Sequence, residues 1–129
     1  MRLNASAILA GLLAFSPLVS AELVCYDGGG TWGAEPWVIE ALTLIDGWCE
    51  SLGRRFFPPN HQEKRCYDAQ NGKAKVQLRM KNGRSSDQIL EPSTCKTLLQ
   101  EIVHRCDRGG RDDTTDGWRP RADPGSGCD

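Results

Sequence analysis

The chain has 129 residues, 16 basic and 17 acidic side chains, and a formal net charge of −1. Because acids are interleaved with bases, that balance excludes a nucleic-acid or other polyanion binder, which needs a strongly basic face. Six cysteines, an even number in so short a chain, point to three disulfides rather than a metal cluster and leave no free thiol for nucleophilic catalysis.

Residues 1–21, MRLNASAILAGLLAFSPLVSA, carry one early charge at Arg2, an apolar run from Ala7 to Phe15, a helix-breaking Pro17 and small residues at Val19-Ser20-Ala21. The run is too short to span a bilayer, so the segment reads as a secretory signal cut after Ala21, with no membrane span and an extracellular destination. Residues 22–129 then form one disulfide-stabilised domain of 108 residues. The sequon Asn4-Ala5-Ser6 falls within the leader.

In chain order, Leu23 to Tyr26 reads as a strand that runs into the glycine loop Asp27-Gly28-Gly29-Gly30. Glu35 and Pro36 open a helix whose stripe is Val38, Leu42, Ile45, Cys49 and Leu52. Gly53 closes it, and Gly47 is an interior defect. Arg54 to Glu63, with Pro58-Pro59-Asn60, reads as a loop. Lys64 to Ala69 and Lys73 to Lys81 read as strands about an Asn71-Gly72 turn. In the second of these, Ala74, Val76, Leu78 and Met80 face one way while Lys73, Lys75, Gln77, Arg79 and Lys81 face the other, and Asn82-Gly83 ends the strand.

Pro92 opens a second helix, with Ser93 or Thr94 as cap. Cys95, Leu98, Leu99, Ile102, Val103 and Cys106 form its stripe, and Gly109-Gly110 ends it. Gly117 to Arg121 supplies a last strand, which Pro120 restricts to a sheet edge. The order β-α-β-β-α-β predicts an α+β two-layer sandwich: a four-stranded antiparallel sheet, its first and third strands central, under two helices on one face. In that fold the helices run antiparallel, so Cys49 pairs with Cys95. The tail brings Cys128 to Cys106, which leaves Cys25 with Cys66 among the fifteen pairings that six cysteines allow.

Chemistry is sparse. His61, Glu63 and Arg65 superficially make a nuclease set, but His61 reads as a loop residue and His104 as a solvated residue near the helix C-terminus. No nucleophile elbow or zinc motif occurs. The acidic cluster Asp107, Asp112, Asp113 and Asp116 lacks the glycine and glutamate of a calcium loop, so neither a catalytic group, a metal nor a cofactor is expected. The aromatics are more informative. Tyr26, Asp27 and Trp32 sit about the glycine loop, and Trp118 with Arg119 follows Gly117. Aromatic plates beside carboxylate and amide groups suit a sugar, the alternative being that these rings, like Trp37 and Trp48, cover the ends of a small core.

The framework Cys25-Tyr26-Asp27-Gly28-Gly29, Ile45-Asp46-Gly47-Trp48-Cys49 and Cys95-x-x-Leu98-Leu99-x-Glu101-Ile102-x-x-x-Cys106 resembles small secreted cysteine-rich fungal proteins. So do Gly109-Gly110 and the closing Arg121-Ala122-Asp123-Pro124-x-x-Gly127-Cys128. Within that set the chain is most similar to the Y-three-like glycan-binding domain of mushroom lectins. The resemblance implies a non-enzymatic, lectin-like sandwich that binds an oligosaccharide or cell-surface glycan, with a homodimer as its assembly. A related resemblance, to killer-toxin-like fungal effectors, implies contact with a host protein instead.

Overall fold

The computed structural model describes residues 23–113, 117–125 and 128, so the expected leader, residues 1–21, lies outside the described residues. The elements are β1 (Val24–Cys25), α1 (Glu35–Leu52), β2 (Arg55–Phe57), β3 (Gln62–Ala69), a 3-10 turn (Gln70–Gly72) and β4 (Ala74–Asn82). They continue with β5 (Gln88–Leu90), α2 (Pro92–Arg105), β6 (Gly110–Arg111) and β7 (Trp118–Gly125).

Both helices form where their apolar stripes place them. In α1 the buried side chains are Ala41, Ile45, Trp48 and Cys49. Pro36 lies in its first turn, and Gly53 ends it at φ 65° with its N–H on the Cys49 carbonyl. A methyl group at Gly47 would meet nothing within 4 Å. Gly47→Ala is therefore expected to raise stability by about 0.5–1 kcal/mol, readable as a higher urea midpoint at unchanged slope. In α2 the buried side chains are Cys95, Leu99, Ile102 and Val103. Its N-cap is Glu91, which makes no side-chain cap bond. Neither Ser93 nor Thr94 takes that place, and the Glu91 carboxylate pairs with Arg54 at 2.9 Å. The helices run antiparallel: Lys96 pairs with Glu50, and Gln100 with Asp46 one turn further on.

The α+β sandwich is as expected, with more strands than expected. Five strands form an antiparallel sheet in the order β1-β6-β7-β4-β3, and β2 pairs with β5 in a separate ribbon. The stretch read as a loop, Arg54 to Glu63, thus contains β2 and the start of β3. The expected order needs two corrections: β1 lies at an edge, and the last strand, β7, lies inside the sheet between β6 and β4.

Pro120 is accommodated there by the shortness of β6. In an antiparallel ladder the N and C=O of one residue address the same neighbour, and the Pro120 carbonyl accepts from Asp112 N at 3.0 Å. The missing donor therefore faces the side where the two-residue β6 has already ended, so no bond to β4 is lost.

Alternation then divides the sheet. Val76, Leu78, Met80 and Asn82 of β4 and Pro120, Ala122 and Pro124 of β7 are buried on the side of the helices. Lys75, Gln77, Arg79 and Lys81 face the other way, opposite Gly125, Asp123, Arg121 and Arg119 of β7. The core joins Ile45, Phe57, Leu78, Met80, Leu90, Leu99 and Ile102, all 0–1% exposed.

Of the expected disulfides, Cys49–Cys95 is present and ties the two helices. The other two pairings are corrected to Cys25–Cys106 and Cys66–Cys128. The displaced β1 explains the change. Cys25 lies opposite Gly110 at the far edge from β3, beside the end of α2, while Cys66 lies on β3 opposite Gln77, on the face away from the helices. Gly109 and Gly110 do more than stop α2. A methyl at Gly109, where φ is +80°, would lie 2.4 Å from the Ala122 carbonyl oxygen, and one at Gly110 would lie 2.5 Å from that of Val24. Only glycine lets β1 and β7 approach here.

Candidate functional site

The helix-free face of the sheet holds an open depression of about 470 Å³, lined by Tyr26, Gly28, Gly29, Arg79, Arg111, Asp113, Arg121 and Asp123. Four elements build it. β4 contributes Arg79, β6 contributes Arg111, β7 contributes Arg121 and Asp123, and the turn after β1 brings Tyr26 and its glycines over the edge. The guanidinium carbons of Arg111 and Arg121 lie 5.7 and 5.8 Å from the Tyr26 ring centroid, within cation–π range. The Asp113 carboxylate bridges two arginines, Arg79 at short range and Arg111 at 2.7 Å, and Asp123 pairs with Arg121 at 3.3 Å.

Burial pushes the Asp113 carboxyl up, but hydrogen bonds and charge from Arg79 and Arg111 outweigh it and hold the group below its ordinary 3.8. A lowered carboxyl stabilises the fold above that ordinary value, and the contribution is lost as pH falls through the lowered one. Asp113→Asn is expected to flatten the acid limb of the stability profile below about pH 4, measured by denaturant melts across pH.

Among the described residues, the buried side-chain nitrogens without a hydrogen-bond partner are Arg79 Nε and Arg121 Nε. A buried donor left unpaired costs about 1–3 kcal/mol, a cost the fold carries at both arginines beside the depression. A smaller cavity of about 200 Å³, lined by Leu23, Leu98, Ile102 and Pro120 among others, carries no aromatic ring.

The sequence candidates divide between the depression and the core. Tyr26 lines the depression and Asp27 lies exposed beside its glycines. Arg119 is on the same face one pairing step along β7, opposite Lys81, and its carbonyl accepts from Arg79 at 3.4 Å. Trp32 is 4% exposed, and its indole N–H donates to the Cys106 carbonyl at 2.7 Å. Trp118 points to the helix side and packs edge-on against Phe57 at 5.2 Å. Both tryptophans pack, as does the buried Trp48, while Trp37 is half-buried outside the core.

His61 and Glu63 do meet, at 2.6 Å, but the third member is Arg55 at 3.5 Å from Glu63. Arg65 stacks on Tyr67 instead. This cluster braces β2 against β3. Of the acidic cluster, Asp116 lies outside the described residues, and no group of three or more His, Cys, Asp or Glu among the described residues could hold a metal. Nor is any described helix long and apolar enough to cross a membrane.

Reasoning from sequence missed Arg79, Arg111, Asp113, Arg121 and Asp123 as a set. The alternation in Lys73–Lys81 does place Arg79 on the wet face, but nothing local reports which strands lie beside it.

The family model of the glycan binding domain Y3 matches residues 41–127, two thirds of the chain. The chain belongs to that family. The match takes in most of α1, all later strands and every arginine and aspartate of the depression, while Tyr26 and Asp27 precede it. A comparison with curated proteins finds no match. Membership in a glycan binding domain Y3 family gives the protein a carbohydrate-binding, lectin-like function.

Proposed function

We propose that the protein is a secreted, non-enzymatic lectin whose glycan lies in the depression around Tyr26. One observation carries this reading: an aromatic ring, three guanidiniums and two carboxylates converge on one solvent-facing hollow of about 470 Å³. Small-ligand sites combine apolar surface with a few convergent polar groups in this way. Tyr26 offers ring surface to the apolar face of a pyranose, while Arg79, Arg121 and Asp123 exchange hydrogen bonds with hydroxyls.

A glycan array tests the reading, with Tyr26→Ala as comparison. Tyr26→Ala is expected to lose about tenfold or more in affinity at an unchanged melting temperature. No binding by the native protein, under conditions that detect millimolar affinity, would overturn it. Secretion is supported by the leader-like residues 1–21 and by three disulfides. A mature mass beginning at Glu22 tests that part.

A second reading, contact with a host protein or with a second copy of the chain, is favoured by the β2–β5 ribbon. There the directly paired Phe56 and Ile89 are 56% and 43% exposed. Phe56→Asp, followed by light scattering, is expected to remove any homodimer and leave sugar binding intact.

A further inference from the structure

The interleaved charges that speak against a polyanion binder at the level of sequence do not stay interleaved once the chain folds. Lys64 lies directly opposite Arg79, Arg79 opposite Arg121, and Arg121 opposite Arg111. Directly opposed residues in an antiparallel pair point to the same face, so four cations form one line across β3, β4, β7 and β6 on the open side of the sheet. Lys81 and Arg119 form a second pair one step away. With strands about 4.8 Å apart, the line is about 14 Å long.

Like charges set directly opposite one another disfavour the pairing that brings them together. Among the described residues, the ion pairs along the line use two carboxylates against four cations. Asp113 is shared by Arg79 and Arg111, Asp123 serves Arg121, and Lys64 makes no ion pair among the described residues. A sheet that holds such a line is matched to a ligand that brings negative charge.

We infer that the glycan recognised in this depression is acidic, bearing carboxylate or sulfate groups that bind along the line Lys64, Arg79, Arg121 and Arg111. The inference rests on the glycan-binding reading and specifies its substrate class. Guanidinium forks take planar or tetrahedral oxyanions with two parallel N–H donors, and Asp113 already demonstrates that this cluster accepts a carboxylate. A neutral sugar would leave the repulsion along the line as it stands. Asp113 and Asp123 in turn screen the line against a dense polyphosphate. They select for charges spaced along a sugar chain.

Calorimetric titration with matched probes tests this. Oligogalacturonate is set against its methyl ester, and a chondroitin sulfate oligosaccharide against its desulfated, carboxyl-reduced form. The charged member of at least one pair is expected to bind about tenfold or more tightly than its neutralised partner, and to weaken as salt rises from about 50 to about 300 mM. The pair that shows the difference identifies the oxyanion. Arg121→Ala is expected to remove the preference, Arg121→Lys to restore part of it, and Asp113→Asn to tighten the acidic probe severalfold, with thermal melts confirming that each variant folds.

Equal binding of charged and neutral members would overturn the inference while leaving the glycan-binding reading intact. Binding of no probe, with neutral glycans on the array also negative, would overturn both. A single-stranded oligonucleotide bound as tightly as the acidic sugar would overturn it in favour of unspecific charge attraction.

Discussion

Removal of the Cys25–Cys106 disulfide, as the double serine variant, is expected to lower stability by about 4.5 kcal/mol and to weaken glycan binding at the same time. The bridge spans a sequence separation of 81, and the loop-closure entropy it removes from the unfolded chain is of that size at room temperature. Binding falls because Tyr26, the ring in the depression, follows Cys25 directly. The short β1 pairs with only two residues of β6, Gly110 and Arg111. Besides that pairing, the Tyr26 N–H bond to the Gly109 carbonyl at 2.9 Å and the Arg108 bond to the Gly29 carbonyl at 2.6 Å, the disulfide is the covalent anchor of this edge.

Loss of Cys66–Cys128 serves as comparison, since it closes a loop of similar order, with a separation of 62, at the opposite edge. Its removal is expected to cost about 4 kcal/mol while leaving Tyr26 in place. Denaturant melts and titrations on the two variants separate the effects. Equal loss of binding in both would refute the assignment of Cys25–Cys106 as the support of the site.

The second large effect is expected at Asn82, which is fully buried at the end of β4. Its side-chain amide nitrogen lies 3.0, 3.1 and 2.9 Å from the carbonyl oxygens of Phe57, Pro58 and Ser86. Its oxygen accepts from Arg84 N and from the Gln88 side chain. One side chain thus ties the end of β2, the segment after it and the turn after β4 to the side chain of Gln88 in β5.

Asn82→Ala removes all five bonds from a fully buried position and is expected to cost about 3–5 kcal/mol, a fall in melting temperature of about 15–25 °C for a domain of this size. Asn82→Asp aims a carboxylate at three carbonyl oxygens. Its loss is expected to shrink on acidification as the carboxyl protonates, whereas that of the alanine variant does not. A drop below 1 kcal/mol in Asn82→Ala would show that the loops satisfy themselves.

The disulfides and Asn82 illustrate what the sequence reveals and what it conceals. The helices are legible because 3.6-residue periodicity, Pro36, Pro92 and Gly53 are local signals. The alternation of Val76, Leu78 and Met80 is equally local, and Cys49–Cys95 follows from two antiparallel helices. Asn82 continues the parity of that strand and so belongs to the core, but an Asn-Gly pair imitates a turn. The other two disulfides depend on strand order, which Pro120 obscures by suggesting an edge. The tryptophans misdirect for a different reason. In a small domain their area is needed inside, and Trp32 spends even its N–H there. Tyr26 is visible as a candidate beside its glycines, but the arginines that meet it, Arg111 and Arg121, lie more than eighty residues further along the chain. Their convergence is a matter of register, and register is non-local.

That register has a consequence for folding fidelity. Because side chains alternate strictly along β4 and β7, sliding either strand by one residue would drive its arginines into the apolar layer beneath the helices and push leucine, methionine or alanine into water. The groups that meet the ligand therefore also act as a check on misfolding: a chain that pairs out of step is penalised at every cation in the line. Neutralising the line to make a more stable, sugar-blind protein would remove that safeguard too, and such variants are expected to refold with a larger aggregated fraction than the native chain.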